Sequence, residues 1–167
     1  AFVKVEKGLW VHDPGQDVVK LAVIERHKGL GTVGLGLIRG FGLRGGAIAS
    51  TVGHDSHNLI VAGDNDADMA KAVEHLVEAG GGMTVVQNGK VLSTLEMPVA
   101  GLISYEKGEE VGKKLQHLHD MATEKLSVNP GIDAFTTLSF MALPVIPTYK
   151  LTDMGLFDVR TFSFVDL

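Results

Sequence analysis

The dipeptide Asn88-Gly89 constrains the fold of this chain more than any other feature of the sequence. It lies between two stretches of apolar and β-branched residues, 84–87 and 90–95. Asn and Gly adopt the positive φ angles of a two-residue type I′ turn, whose twist matches that of antiparallel strands. The sequence therefore predicts a β-hairpin, so at least part of the sheet is antiparallel.

Other stretches have the composition of short β-strands. The most apolar of them, VVKLAVIER, precedes a series of glycines that begins at Gly29. Turn-prone glycine segments also separate later stretches, as expected for strands joined by turns. The predicted strands cover residues 18–27, 32–38, 46–52 and 59–62.

Two stretches show the 3.6-residue periodicity of amphipathic helices. The first begins at the polar run 64–66, whose side chains can accept hydrogen bonds from free helix amides. It ends at the glycines 80–82, which terminate helices strongly. The second predicted helix covers residues 105–126, with its charged residues mostly away from the apolar face.

Strands outnumber helices along the chain, and the sheet contains a hairpin. We therefore predict an α+β fold, with a mixed or largely antiparallel sheet and two main helices packed on it, in preference to a doubly wound fold. A last core segment is predicted at 136–143, followed by an irregular tail with one candidate strand at 161–165. The length of 167 residues is that of an ordinary domain, and we predict a single domain over 1–167.

Charge and cysteine content exclude several classes of function. The net charge of -5 and the scattered Lys and Arg residues leave no basic surface for nucleic acid. The 167 residues contain no cysteine, which excludes disulfides and thiol catalysis within them. No stretch reaches the roughly 20 apolar residues that a membrane-spanning helix needs. We expect a cytoplasmic protein without nucleic-acid or membrane partners.

A glycine pattern at 40–45 formally matches the dinucleotide-binding motif GxGxxG. In that motif the glycines open a helix, whose N-terminus binds the pyrophosphate. Here the stretch AIASTV at 47–52 is apolar and β-branched, so a strand is predicted to follow instead. The pattern therefore does not indicate a nucleotide site.

The densest polar chemistry of the chain follows the predicted strand 46–52. Five polar side chains occur there in a row: His54, Asp55, Ser56, His57 and Asn58. Histidine can relay protons near neutral pH or bind a metal, and a strand end aims such groups while leaving them accessible. Two histidines are too few for a complete metal site. In the structural alternative, Asp55, Ser56 and Asn58 form an Asx-type turn and the histidines are ordinary polar residues.

A second polar group, Glu25, Arg26 and His27, closes the first predicted strand. Strand alternation places Glu25 and His27 on one face, where they could share a proton, and Arg26 on the other. The alternative is a set of solvated charges at a strand end, because Glu and Arg are seldom buried without a partner.

Six motifs occur in order over about residues 18–159. They are AVIERH at 22–27, GFGLRGGAIAS at 40–50, GHDSHN at 53–58, EAGGGMTVV at 78–86, TLSFMALPVIP at 137–147 and KLTDMGLFDV at 150–159. Together they resemble the C-terminal domain of the microbial adenine deaminases, which belong to the amidohydrolase superfamily. An ordered series of this length is more specific than any single motif.

The resemblance implies an activity for a longer protein. Adenine deaminases convert adenine and water to hypoxanthine and ammonia, and their N-terminal amidohydrolase barrel binds a pair of divalent metal ions, manganese or iron. The 167 residues contain no such barrel, so we expect this chain to bind no metal alone and to be inactive by itself. The implied partners are the barrel of the same polypeptide, adenine as substrate, and further copies in a homo-oligomer.

The same resemblance assigns roles to the two polar groups. His54, Asp55 and His57 are the implied catalytic residues, acting together with the barrel. The implied substrate-binding residues are Ser56, Asn58, Glu25, Arg26 and His27. In the alternative, these residues only build the domain interface. An alternative function for the whole chain is a noncatalytic ligand-binding or oligomerisation module of shared ancestry.

Overall fold

A six-stranded antiparallel sheet forms the centre of the computed structural model, which describes residues 4–11 and 15–165. Two short strands precede it in the chain and pair with each other. The eight strands are β1 Lys4–Glu6, β2 Leu9–Val11, β3 Val18–Ile24, β4 Val33–Arg39, β5 Ala47–Ser50, β6 Leu59–Gly63, β7 Gly82–Gln87 and β8 Lys90–Glu96. The order across the large sheet is β4-β3-β6-β5-β7-β8, and each neighbouring pair is antiparallel.

The hairpin predicted at Asn88-Gly89 is confirmed. β7 and β8 pair up to Gln87 and Lys90, and the turn residues have positive φ angles of 52° at Asn88 and 72° at Gly89. The amides of these two residues donate to the Asp68 carboxylate at 3.0 and 2.6 Å. A side chain of the preceding helix therefore supports the turn in addition to its own backbone preference.

One face of the sheet is covered by α1, Asp66–Glu78. The helix begins after Asn65, whose side chain accepts from the Asp68 amide at 2.8 Å, which confirms the predicted cap. α1 packs over β5, β6 and β7. The helix side chains buried against the sheet are Met69, Ala72 and Leu76.

The opposite face carries α2, Gly108–Leu126, and α3, Ala134–Ser139, followed by a short 3₁₀ helix at Phe140–Ala142. The predicted start of the long helix at residue 105 is wrong. Lys107 is extended, with a ψ of 146°, so the helical backbone begins only at Gly108. The larger core lies between these helices and the sheet and includes Val23, Ile48, Leu118, Phe135 and Leu138.

The C-terminal part of the chain differs from the prediction. The predicted core segment 136–143 is mostly helical, and the candidate strand at 161–165 is confirmed by a strand at Ser163–Phe164. The rest of the tail, which was expected to be irregular, adds two further strands, so that a three-stranded antiparallel sheet forms. Its strands are β9 Tyr149–Thr152, β10 Gly155–Asp158 and β11 Ser163–Phe164. β9 and β10 pack against β4, where a Cβ on Gly34 would lie 1.8 Å from the Thr152 carbonyl oxygen. Strands this short, placed by packing, leave no clear periodic pattern in the sequence.

The predicted α+β class is confirmed. Three antiparallel sheets and three α-helices, two of them long, are found in the described residues. β5 follows the GxGxxG pattern at 40–45, as predicted, so this pattern opens no helix. None of the described helices combines the length and hydropathy needed to cross a membrane. The domain predicted over 1–167 includes residues 1–3, 12–14 and 166–167, which lie outside the described part.

Candidate functional site

The polar residues 54–58 lie in the loop that joins β5 to β6, two adjacent strands in the middle of the large sheet. The His57 amide donates to the Gly53 carbonyl oxygen at 2.7 Å, and His57 has a positive φ of 51°. The Asn58 amide also donates to the Ser56 hydroxyl, at 3.4 Å. These bonds show a turn supported by a side chain, with Ser56 as the acceptor.

His54 is held against the helical layer on one side of this loop. Its amide donates to the Ser139 carbonyl oxygen at 3.2 Å. Its ring packs edge-on against Phe140, with the ring centroids 4.5 Å apart. His54 is half-buried, whereas the neighbouring Asp55 is exposed. The loop therefore fixes His54 against the protein and presents Asp55 to the outside.

The prediction that the group 25–27 closes the first strand is wrong. β3 ends at Ile24, and the Glu25 carboxylate accepts hydrogen bonds from three amides of the following loop. The donors are His27 at 2.5 Å, Lys28 at 2.7 Å and Leu30 at 3.0 Å. These bonds, with the Leu30 amide the strongest cause, lower the pKa of Glu25. Glu25 therefore serves the loop backbone, and the proton shared with the His27 ring stays a hypothesis.

Arg26 and His27 extend to the loop between β5 and β6. The Arg26 Nε donates to the His57 carbonyl oxygen at 2.6 Å, and its Nη2 donates to the Ala100 carbonyl oxygen at 2.8 Å. The His27 Nε2 lies 2.7 Å from the Ser56 carbonyl oxygen. Burial lowers the pKa of Arg26, but a guanidinium remains a cation in proteins. Two polar groups that are distant in the sequence are thus brought together through the backbone of the loop.

Asn58 is buried, with 4% of its surface exposed, and it contacts a residue that was not among the predicted site residues. Its Nδ2 donates to the Asp153 Oδ1 at 3.1 Å. The Thr32 Oγ1 donates to the other oxygen of the same carboxylate at 2.8 Å. Asp153 lies between β9 and β10, inside the KLTDMGLFDV motif, which is the sequence signal that could have indicated it. The C-terminal sheet therefore supports the site.

Two buried polar atoms of the loop, His57 Nδ1 and Asn58 Oδ1, have no hydrogen-bond partner among the described residues. Buried polar atoms in proteins are nearly always hydrogen-bonded. The Asn58 oxygen needs a donor, and the His57 nitrogen takes a donor or an acceptor according to its tautomer. Among the described residues, no protein group therefore uses the hydrogen-bonding capacity of these two atoms.

Gly101 determines whether Arg26 can occupy its position. A Cβ at Gly101 would lie 2.8 Å from both terminal guanidinium nitrogens, and the residue has a φ of 74°. Glycine satisfies both the close approach and the left-handed backbone. No sequence signal could have indicated this residue, because the requirement arises only when Arg26 lies beside it.

The described residues do not fit a metal pair. Within 4–11 and 15–165, no group of three or more His, Cys, Asp or Glu side chains is placed to hold a metal ion. His54 and His57 therefore form no metal site with other described residues. The manganese or iron pair that the resemblance implies stays an expectation.

Comparison with known proteins identifies the family. Residues 1–163 match the family model described as Adenine deaminase C-terminal domain. The adenine deaminase of Nitratidesulfovibrio vulgaris strain DP4 is 58% identical over 151 residues, which cover 90% of this chain and 26% of that protein. The adenine deaminase of Bacillus pumilus strain SAFR-032 is 50% identical over 163 residues, which cover 96% and 28%. That of Bacillus subtilis strain 168 is 49% identical over 155 residues, which cover 93% and 27%.

The chain spans little more than a quarter of the length of these curated relatives. The likeness nevertheless covers nine tenths or more of the chain itself, so it is not confined to a single motif. This chain belongs to the family of adenine deaminase C-terminal domains.

Proposed function

We propose that this chain is the C-terminal domain of an adenine deaminase and supports the hydrolysis of adenine to hypoxanthine and ammonia. The observation that carries the proposal is the likeness over residues 1–163 to proteins named adenine deaminase. The whole enzyme would be a hydrolase acting on the C–N bond of a cyclic amidine, in purine metabolism in the cytoplasm. The 167-residue chain alone would be inactive.

This chain matches only part of each relative, which supports separate roles for this domain and for a larger N-terminal part of the protein. More than two thirds of each relative lies outside the region that this chain matches. We place the amidohydrolase barrel, the adenine-binding cavity and the manganese or iron pair in that part.

His54, Asp55 and His57 are the proposed catalytic residues. Hydrolytic deamination needs a group that takes a proton from the attacking water and one that delivers a proton to the amine nitrogen, which leaves as ammonia. Imidazoles and carboxylates transfer protons in this way. Asp55 is exposed and can reach a substrate in the joined part, whereas the His57 Nδ1, unpaired among the described residues, is buried within this chain. The half-buried ring of His54 packs against Phe140.

The remaining candidate site residues form two groups, one exposed and one hydrogen-bonded within this chain. Ser56 and His27 are exposed and are proposed to contact the substrate or the barrel. Glu25, Arg26 and Asn58 make side-chain hydrogen bonds within this chain, although the buried Asn58 Oδ1 makes none among the described residues. We therefore propose that these last three residues position the loop and do not touch the substrate.

Ammonia release from adenine tests the proposed function. The full-length gene product is assayed with added manganese and, separately, with iron, beside the 167-residue chain. We expect turnover only by the full-length protein. A folded, metal-loaded full-length protein that leaves adenine unchanged would overturn the proposal in favour of a noncatalytic ligand-binding or oligomerisation module. Turnover by the short chain would show that the catalytic site is complete within it.

A further inference from the structure

One edge of the large sheet continues beyond the helix that covers this face. α1 packs over β5, β6 and β7, whereas β3 and β4 extend the same face past it. The strand register places Leu35 beside Ala22 and Val33 beside Ile24. Leu35 is 61% exposed and Val33 is 47% exposed. An apolar edge of the sheet therefore faces outward in the described part of the chain.

A groove separates α1 from this edge. Its first part is a hollow of about 370 Å³. Its walls are formed by sheet and helix residues, namely Ala22, Ile24 and Val61 from the sheet and Met69, Ala70, Val73 and Glu74 from the helix. Aliphatic side chains thus dominate both sides, which favours an apolar occupant.

The groove continues along the same elements into a second hollow of about 190 Å³. Val77 follows one helical turn after the first hollow, and it is 69% exposed. Leu59 lines the second hollow from β6, and Arg26 lines it from the loop after β3. The two hollows and the exposed edge at Val33 and Leu35 form one surface, the α1 groove.

The Arg26 end of the α1 groove carries a positive charge without a counter-ion. No carboxylate among the described residues forms an ion pair with Arg26, and the neighbouring Glu25 carboxylate binds loop amides. Bonds from Nε and Nη2 to two carbonyl oxygens fix the direction of the guanidinium. A partly buried cation is stabilised by a charge-assisted bond to an anion, so this end favours a carboxylate.

We propose that the α1 groove binds a segment of the larger N-terminal part of the deaminase, with apolar side chains in the hollows and a carboxylate on Arg26. The proposal rests on the proposed function only in requiring that such a part is joined to this domain. The matched relatives carry a remainder more than twice the length of the matched region. Covalent attachment gives that remainder a high effective concentration at this surface.

The position of the first described strands agrees with this occupant. Trp10 of β2 lines a further hollow together with Leu35 and Lys20, at the opposite end of the same sheet face from Arg26. β2 therefore lies on the same face of the sheet as the α1 groove.

Cysteine labelling in the full-length protein tests the docking. The 167 residues contain no cysteine that would compete. Leu35→Cys and Val77→Cys each place a thiol in the α1 groove, and Tyr105→Cys, at a residue that is 83% exposed and outside the groove, is the control. The alkylation rate of each thiol in the folded protein is compared with its rate in urea by mass spectrometry of the peptide.

We expect about tenfold or greater protection from alkylation at residues 35 and 77, and less than about threefold at residue 105. Protection below about threefold at both groove positions would overturn the proposal. Protection that disappears on dilution would also overturn it, because the occupant would then be a second copy of the protein.

The carboxylate is tested separately in the Arg26→Lys variant of the full-length protein. A carbodiimide couples an amine to a carboxylate in direct contact, so we expect a cross-link from residue 26 to an Asp or Glu ahead of this domain. Cross-links only within 1–167, or none at all, would overturn this part of the proposal. Neither experiment measures adenine turnover, so an inactive enzyme would count against the proposed function alone.

Discussion

The Arg26 guanidinium donates a 2.6 Å hydrogen bond to the carbonyl oxygen of His57, across 31 positions of the sequence. A second bond, to the Ala100 carbonyl oxygen, joins a third loop to the same side chain. The pairing of β3 with β6 places Ile24 opposite Leu59, which brings the loops at these strand ends together. Arg26 therefore connects the loops around the candidate site by hydrogen bonds.

Replacing Arg26 should destabilise the three loops that this side chain joins. They are the loop after β3, the loop between β5 and β6, and the loop that contains Ala100. Arg26→Leu leaves two carbonyl oxygens without their donor, and we expect a loss of about 1–3 kcal/mol in the free energy of unfolding. Urea unfolding of the 167-residue chain measures the loss. Lys28→Leu, which removes an exposed cation from the same loop, is the matched control. Equal losses in both variants would contradict the prediction.

Gly101→Ala should destabilise the chain more than Gly89→Ala does. The two glycines have nearly the same φ, 74° and 72°, so the backbone strain of an alanine is similar at both positions. Only at Gly101 would the new methyl group lie 2.8 Å from the Arg26 guanidinium, whereas nothing lies within 4 Å at Gly89. We expect an excess loss of about 1–2 kcal/mol in urea unfolding. A difference near zero would show that Arg26 moves aside freely.

Asp153→Ala should weaken the contact between the C-terminal sheet and the site. It removes the acceptor for the buried Asn58 amide and for the Thr32 hydroxyl. An unpaired buried donor costs about 1–3 kcal/mol, and urea unfolding would show a loss of that size. The control is Asp55→Ala, at an exposed residue, for which we expect a change within about 0.5 kcal/mol. A similarly small effect at residue 153 would be inconsistent with the hydrogen bonds described.

Glu25 makes stability depend on pH in the acid range. Bonds from the Leu30, Lys28 and His27 amides lower its pKa in the folded chain below the ordinary 4.5. A carboxyl group with a lowered folded pKa stabilises the protein above its unfolded pKa, and the stabilisation is lost as the pH falls through the folded pKa. Glu25→Gln should therefore lower the urea midpoint at pH 7.

The same comparison at lower pH provides the check on Glu25. Below pH 4.5 the difference between Glu25→Gln and the unsubstituted chain should shrink, because the wild-type carboxylate becomes protonated. Glu124→Gln, at an exposed residue of α2, is the control. A difference that stays constant from neutral to acid pH would rule out the carboxylate as its source.

His57→Ala in the full-length enzyme distinguishes a catalytic loop from a structural one. The substitution keeps the carbonyl oxygen that Arg26 binds, so the loop stays attached. We expect kcat/KM for adenine to fall by about tenfold or more with metal content unchanged. His117→Ala, at an exposed histidine of α2, should leave kcat/KM unaltered. A fall of less than about threefold at His57 would assign the loop to the interface.

Local features were predictable because their causes are local. Asn88 and Gly89 form the hairpin turn through their own φ preferences, and Asn65 begins α1 through a bond to an amide three residues later. The apolar stretch after the glycine pattern at 40–45 predicted β5 for the same reason. The polar loop 54–58 was also found in advance, since its residues are adjacent in the sequence.

By itself, the sequence determined the α+β class, the hairpin, the cap of α1 and the identity of the polar loop. Only the tertiary structure decided that β3 ends at Ile24, that the tail forms a sheet, and that Asp153 supports Asn58. Those last two residues are 95 positions apart, and their contact depends on β9 and β10 packing against β4. Local preferences act over a few residues, whereas such contacts arise from strand pairing and packing that bring distant segments together.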